Sequence, residues 1–336
     1  MRDSLLAELA CPGCGGDLFV AEASAINGGH IEQGVLGCRG CAARVPIEHS
    51  VPNFVPSDDR ADVQQTTSGF ARNWDEFNDV ILDNEQLNDE LFRDWIAPLQ
   101  PESFKDKLVL EPGCGMGRWL RVAARYGPRA LIGLDYSTVA YTAARNVAHL
   151  ENAHVVRADI LRLPLKKRIE TAYCLGVVHH TPDPARTFDA LVQALGPQGL
   201  LSVWVYGAEG NGWITSLVDP VRKNITSRMP HRVLGALSVL LALPLYGAAK
   251  VSAAVPLPYR SYLAHLRRYP FKYMSHIVYD HLVPEIAHYL PRAELEAWVS
   301  RNGLHAQISA RNGNSWRLLA GREAQSLPQA LPKTGT

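Results

Sequence analysis

Residues 109–120 read VLEPGCGMGRWL, a short apolar run that ends in Glu111 and Pro112, passes Gly113, Gly115 and Gly117, and opens an amphipathic helical pattern. A strand, a glycine turn and a helix in this order commit the chain to an open α/β sheet. The glycines let the backbone turn tightly at the carboxyl end of a strand and come close to a ligand there. The rhythm continues downstream. Apolar runs at 107–113, 130–136, 154–160, 171–177 and 200–207 alternate with helical patterns in RWLRVAARY, TVAYTAARNVAHL and ARTFDALVQAL. Such alternation is what βαβ units and a parallel sheet require. An insertion over 208–272 interrupts the pattern, which resumes with a helix at 292–302 and strands in HAQISA and SWRLLAG. Together these predict a Rossmann-like α/β sheet of seven strands.

Two acidic residues sharpen the glycine signal. The second strand ends in Asp135, 18 residues after Gly117, where a carboxylate can accept both hydroxyls of a ribose. The third ends in Ala158-Asp159, where an acid can accept from an adenine amine or simply cap the next turn. The compressed Gly-x-Gly-x-Gly spacing argues against a dinucleotide site, which uses Gly-x-Gly-x-x-Gly. Cys114 inside the motif reads as a small packed residue, because a buried thiol is usually inert.

ExGxGxG, an acidic strand end, Ala-Asp and then LGVVHHTPDP resemble the class I S-adenosylmethionine (SAM)-dependent methyltransferases of the ubiquinone and menaquinone type, across residues 68–207 and again 285–321. The resemblance implies SAM as cofactor. It puts Glu111, Gly113, Gly115 and Gly117 around the methionine part, Asp135 with Tyr136 at the ribose, and Ala158, Asp159 and Ile160 at the adenine. Leu175 and Gly176 would form the floor beside the methyl group, and Arg72 and Trp74, in FARNWDEF, would close over the methionine end.

Methyl transfer from a sulfonium is an in-line displacement in which the enzyme aligns the acceptor and can remove its proton. The fourth strand leads into Leu175-Gly-Val-Val-His179-His180, with none of the Asn/Asp-Pro-Pro-aromatic signature of base-nitrogen methylation. That favours an oxygen or carbon acceptor. His180 is the candidate base and His179 its neighbour; the competing reading is that both shape the floor and cap the next helix. After the insertion, YDHLVPEIAHYL resembles segments of glycan and natural-product methyltransferases, which nominates Tyr279, Asp280, His281 and His288 as acceptor contacts. Helix capping and packing compete for these residues too.

Cys11, Cys14, Cys38 and Cys41 form two Cys-x-x-Cys pairs, leaving only Cys114 and Cys174 elsewhere. That arithmetic reads as a closed, structural Zn²⁺ site rather than a disulfide scaffold. A zinc ribbon is therefore expected over 1–55 and a methyltransferase domain over 56–322. Within the latter, 208–285 would be a helical insertion capping the acceptor site. The stretch VPNFVPSDDRAD reads as a linker and 323–336 as a frayed tail.

The formal charge is +1, and residues 1–60 hold eight acidic against four basic side chains. Nucleic acid is accordingly not expected as a partner; a small-molecule, glycan or lipid-linked acceptor is. A zinc-ribbon RNA methyltransferase and a non-catalytic adaptor are the rival readings. With no basic-apolar leader at the N-terminus, a cytoplasmic protein is expected. The insertion carries nine basic and two acidic residues around VLGALSVLLALPLYGAA, 17 residues without a charge. It is either a cap packed on the active site or a surface lying in the membrane interface, peripheral to the inner face.

Overall fold

The computed structural model describes residues 1–56, Trp74, 77–166 and 168–328. Strands β1 (Leu18–Asn27), β2 (His30–Cys38), β3 (Arg44–Glu48) and β4 (Val51–Pro52) form an antiparallel sheet in sequence order, preceded by a single helical turn, α1 (Asp3–Leu6). The main sheet holds β5 (Leu108–Pro112), β6 (Ala130–Asp135), β7 (Ala153–Arg157), β8 (Ile169–Leu175), β9 (Leu195–Tyr206), β10 (His305–Arg311) and β11 (Ser315–Gly321). Its order is β10-β11-β9-β8-β5-β6-β7. The strands from β7 to β9 are parallel, while β11 runs antiparallel to both β9 and β10.

All five residues of β5 are buried, as an uninterrupted apolar strand in a two-sided sheet must be. The chain winds from β5 outward to β6 and β7 on one side, then returns to β8 and β9 on the other. The crevice at this reversal, outside the carboxyl ends of β5 and β8, is where open α/β sheets take their ligands. Helices α2 (Glu85–Ile96), α3 (Arg118–Ala124), α4 (Val139–Asn146) and α5 (Pro184–Ala194) cover the faces. Asn84 caps α2 by accepting from the Leu87 amide at 3.0 Å, and Asp183 caps α5 from the Arg186 amide at 2.9 Å.

The insertion folds as α6 (Asp219–Asn224), α7 (His231–Val251), α8 (Arg260–Leu266) and α9 (Phe271–Leu282), followed by α10 (Arg292–Arg301) of the main domain. Leu234, Ser238, Ala242 and Ala249 are the buried residues of α7. Their spacings of four, four and seven make one narrow stripe, and the rest of that helix is left outward.

Three expectations are modified. The expected linker at 51–62 begins as structure: Val51 is fully buried in β4, and the Phe54 amide donates to the Arg157 carbonyl at 2.8 Å. Proline and acidic residues suggest a linker, but Pro52 sits in a two-residue strand, where one missing amide costs little. The expected tail remains attached through residue 328, with Leu327 against the core and Gln307 donating to the Pro328 carbonyl at 2.5 Å. The N-terminal sheet is also no separate body. Leu5, Leu9, Leu18, Leu36 and Ile47 share one apolar cluster with Leu108, Ile132 and Val156 of the main sheet. Arg2 donates to the carbonyls of Ala148, Leu150 and Ala153 at 2.8 to 3.0 Å, and Glu8, buried, pairs with Arg168 at 2.6 Å.

Continuity of the core makes the ribbon and the sheet one cooperative unit. Leu9→Ala, at a fully buried position, should cost about 2 to 5 kcal/mol and lower the melting temperature of a single calorimetric transition. A separate low-temperature transition for the ribbon, with the main peak unmoved, would show that the joint is not cooperative.

Candidate active site

The turn after β5 is set by close contact. Gly113 has φ of +72°, and a Cβ built there would lie 2.3 Å from Cγ2 of Val177. Only glycine satisfies both limits. The amides of Gly113 and Cys114 both donate to the Leu134 carbonyl, at 2.6 and 3.0 Å, which pins the loop to β6. Asp135, at the end of that strand, accepts from the Gly115 amide at 2.9 Å and from the Ser137 amide and hydroxyl at 2.9 and 2.8 Å. Three of its roughly four acceptor positions are thereby used, and the half-buried carboxylate keeps an outward edge. Burial pushes its pKa up, against the pull of those hydrogen bonds.

Glu111 is buried behind the same loop and accepts from the Tyr173 hydroxyl at 3.0 Å. Burial drives its pKa well above the carboxylate range, with the Tyr173 bond opposing. A buried carboxylate with a single donor is stabilised by any cationic group brought beside it. Trp74 lies over the loop, its indole 3.7 Å from where a Gly115 side chain would begin, and its ring is 4.9 Å from that of His276. Ala158, Asp159 and Ile160 follow β7, where Asp159 caps a short turn by accepting from the Leu161 amide at 2.8 Å. Tyr136 follows Asp135, and its carbonyl accepts from Arg157 at 3.1 Å. Arg72 lies outside the described residues. Cys114 packs against Gly133, and burial pushes its thiol far up, so it carries no thiolate.

Beyond Leu175 and Gly176 the chain makes the turn Val178–His180 and builds a second chamber. Tyr206, at the end of β9, is its centre, with ring centroids of His179 at 4.0 Å, Trp204 at 5.5 Å, His180 and Tyr289 at 5.6 Å, and His281 at 5.9 Å. The segment carrying His288 and Tyr289 is laced across it: the His288 amide donates to the His179 carbonyl at 2.8 Å, and the Leu290 amide to Tyr206 at 3.0 Å. His180 donates from Nδ1 to the Ile286 carbonyl at 2.7 Å, a tautomer that puts the lone pair on Nε2. Burial lowers its pKa to about 4. His179 is completely buried, and neither of its ring nitrogens has a hydrogen-bond partner among the described residues.

The four nominated acceptor contacts divide. His281 and His288 reach the chamber. Asp280 turns to His276, 3.2 Å away. Tyr279 does not line the chamber: its hydroxyl meets His231 Nδ1 at 2.6 Å and its ring packs with Leu234, Leu282 and Val283, holding α7 to α9. A helix turns about 100° per residue, so three consecutive side chains cannot share one face. Trp95, Trp204, Tyr206 and Tyr289 were not legible as site residues. The signal available for two of them was the alternation along β9, which puts Trp204 and Tyr206 on one side.

In the N-terminal sheet region, the sulfurs of Cys11, Cys14, Cys38 and Cys41 all lie within 4.8 Å of one another. Tetrahedral Zn–S bonds of about 2.3 Å require sulfurs roughly 3.8 Å apart. The Gly16 and Gly40 amides point to Cys14 and Cys38 sulfurs at 3.4 and 3.3 Å, and a Cβ on Gly16 would sit 3.2 Å from both sulfurs. The cluster thus fits a closed, structural zinc centre.

A doubly wound sheet with a glycine turn and an acid at the next strand end places the chain in the class of α/β proteins that take a ligand at the carboxyl ends of their strands. The chain belongs to the methyltransferase domain family, whose model matches residues 84–307, more than half of the chain. It thus joins a domain of the methyltransferase family to an N-terminal four-cysteine cluster. Among curated relatives it is similar to the tRNA U34 carboxymethyltransferase of Sulfurovum sp. (strain NBC37-1), 27% identical over 140 residues, 40% of this chain and 45% of that protein. The enzyme of the same name from Pseudoalteromonas translucida is 28% identical over 135 residues, 39% of this chain and 41% of that protein. The chain spans less than half the length of these relatives. Among solved structures, magnesium protoporphyrin IX methyltransferase from Synechocystis PCC 6803 with bound SAM aligns over 80% of this chain and 100% of that one, at 14% identity and a TM-score of 0.45.

The relatives overturn one expectation. Near-neutral charge and an acidic N-terminus set nucleic acid aside as a partner in favour of a small-molecule acceptor, yet the matched relatives are named for a tRNA position. Net charge over a whole chain is a poor guide here, because binding depends on the local distribution of cations.

Two measurements follow from this geometry. Asp135→Asn replaces an acceptor facing three donors by an amide, and charge-assisted bonds of about 1.5 to 3 kcal/mol each predict SAM affinity lower by at least tenfold; calorimetry giving the wild-type constant would remove Asp135 from the site. His154, His180 and His265, held near 4, and His276, held near 3, are all kept neutral by burial. Their folded pKa values lie below the unfolded value of about 6.5, so the unfolded chain binds more protons and stability falls as pH drops from 6.5 toward 4. Circular dichroism should show acid unfolding beginning near pH 6, and a flat signal down to pH 4 would contradict these assignments.

Proposed function

We propose that the chain transfers the methyl group of SAM to an oxygen or carbon atom of its acceptor while seated on an anionic membrane surface. SAM supplies an electrophilic methyl on a sulfonium. Glu111 and the glycine turn would hold its ammonium-bearing end, Asp135 its ribose, and Asp159 with Ile160 its adenine. Leu175 and Gly176 would lie beside the reacting carbon, and Trp74 would close over the turn. Acceptor and methyl are aligned by the Tyr206 chamber, and Nε2 of His180 takes the acceptor's proton. A pKa near 4 keeps that nitrogen unprotonated at neutral pH, so it is ready without being a strong base.

The observation that supports the membrane reading is where apolar surface is exposed. Of the large exposed hydrophobic side chains among the described residues, only Ile26 lies outside 213–259; the others run from Trp213 and Leu217 through Val239, Leu240, Leu241 and Leu243 to Val255 and Tyr259. Exposed Lys223, Arg228, Arg232, Lys250 and Arg260 are interleaved with them, and Asp219 is buried. By length and composition α7 could cross a bilayer. Its buried stripe against α9 instead keeps it on the domain, which favours lying in the interface plane.

RNA is the second reading, supported by the names of the relatives. Cations serve either partner, but exposed leucine and valine gain nothing from a phosphate backbone. The full chain should sediment with phosphatidylcholine vesicles containing phosphatidylglycerol, come off as salt rises, and lose binding in Leu240→Asp/Leu243→Asp while SAM affinity holds. Absence of vesicle binding at low salt, with radiolabel from SAM appearing in RNA, would decide for the second reading.

A further inference from the structure

We infer that the acceptor carries an anionic group, a carboxylate or a phosphate, and that Arg222 on α6 is the residue that anchors it. The inference rests on the transferase reading above and deepens it. Arg222 is only 2% exposed, a depth at which a guanidinium is rarely left without full pairing. Its one carboxylate partner is Asp219, with Nη2 and Oδ1 2.5 Å apart, and Asp219 is shared with Lys223 at 3.3 Å. One negative charge therefore serves two positive ones. Nε and Nη2 of Arg222 make no hydrogen bond of acceptable geometry among the described residues.

The direction in which this cation acts is toward the chamber. Burial raises the phenol of Tyr289 and the charge of Arg222 opposes it, which puts the guanidinium beside a ring that stacks on Tyr206 at 5.6 Å. Burial lowers the imidazoles of His179 and His180 and the charge of Arg222 adds to that, while at Tyr206 burial raises the phenol and Arg222 opposes it. Beside it, both nitrogens of His179 and Nε2 of His288 are buried without hydrogen-bond partners among the described residues, and a neutral imidazole such as that of His179 can turn one N–H toward an oxyanion. A buried guanidinium with an incomplete counter-charge, beside unpartnered imidazoles, is an environment that an oxyanion completes and a neutral group does not. A purely structural Arg222–Asp219 pair would instead be expected to have its remaining donors satisfied.

Two measurements on the full chain test this. In the first, cell extract is separated at pH 7.5 on an anion-exchange resin, and both pools are offered to the enzyme with tritiated SAM. Label should enter the retained pool, and Arg222→Met should cut the rate at low acceptor concentration at least tenfold with SAM affinity unchanged, Arg222→Lys recovering part of it. Prior phosphatase treatment of the pool, or amidation with carbodiimide and methylamine, tells phosphate from carboxylate by which one removes the label. Label confined to the neutral pool, or Arg222→Met working at the wild-type rate, would overturn the anchor while leaving the transferase reading intact; no label in either pool would overturn that reading first. The second measurement needs no acceptor. In protein loaded with S-adenosylhomocysteine, inorganic phosphate and acetate should each saturably shift the ring protons of His179 or His288 by NMR, and Arg222→Met should abolish the shifts. Shifts that are absent in the wild type, or identical in the variant, would refute the anion site.

Discussion

The Leu134 carbonyl receives two amide protons, from Gly113 and Cys114, and the arrangement of the whole site depends on that junction. It ties the end of β5 to the end of β6 across the reversal of the sheet. Asp135, the next residue, then reaches back to the Gly115 amide, so the loop is held at two points one residue apart. The close packing of Gly113 on Val177 carries the same constraint to the end of β8 and hence to the turn that presents His179 and His180. A side chain at Gly113 would separate these three strand ends at once, which is why a loop of such apparent simplicity tolerates so little.

From that junction the molecule divides its polar chemistry in two. On the cofactor side, carboxylates dominate: Glu111, Asp135 and Asp159, each engaged by a small number of donors from the protein. On the acceptor side the groups are imidazoles, phenols, indoles and one guanidinium, and several buried nitrogens lack partners. Unpartnered buried polar atoms are uncommon in folded proteins; among the described residues those of His179 and Trp204 lie against Tyr206, and others sit on Trp95, Arg118, His276 and Arg317 elsewhere in the core.

The N-terminal ribbon belongs to the same economy of contacts. A four-stranded sheet of about 50 residues has too little interior to stand alone, and this one borrows: its leucines join the main core, and Arg2 satisfies three carbonyls after α4 that would otherwise need water. The cysteine cluster sits beside this joint: Cys11 belongs to the shared core, and the Ala10 amide next to it donates to the Pro164 carbonyl of the main domain at 3.0 Å.

How much could be read in advance follows from the range of each determinant. Strand and helix placement, the Gly113–Gly117 turn, Asp135 at a strand end and the Cys-x-x-Cys pairs are all local: φ preference, periodicity and ligand spacing act over a few residues, so the sequence by itself determined the fold class, the glycine turn with its acidic strand end and the four-cysteine cluster. The rest depends on pairs far apart in the chain. Tyr206 meets Tyr289, His179 meets His288, Arg2 meets Leu150, and none of these distances is encoded in any window of sequence. Helical rotation turned Tyr279 away from Tyr206 and toward α7 while His281 stayed, and Arg222, counted among the nine basic residues of the insertion, is buried beside Asp219. Only the tertiary structure decided which cations of the insertion face water and which are buried, because burial is a property of what packs above a residue and not of the residue itself.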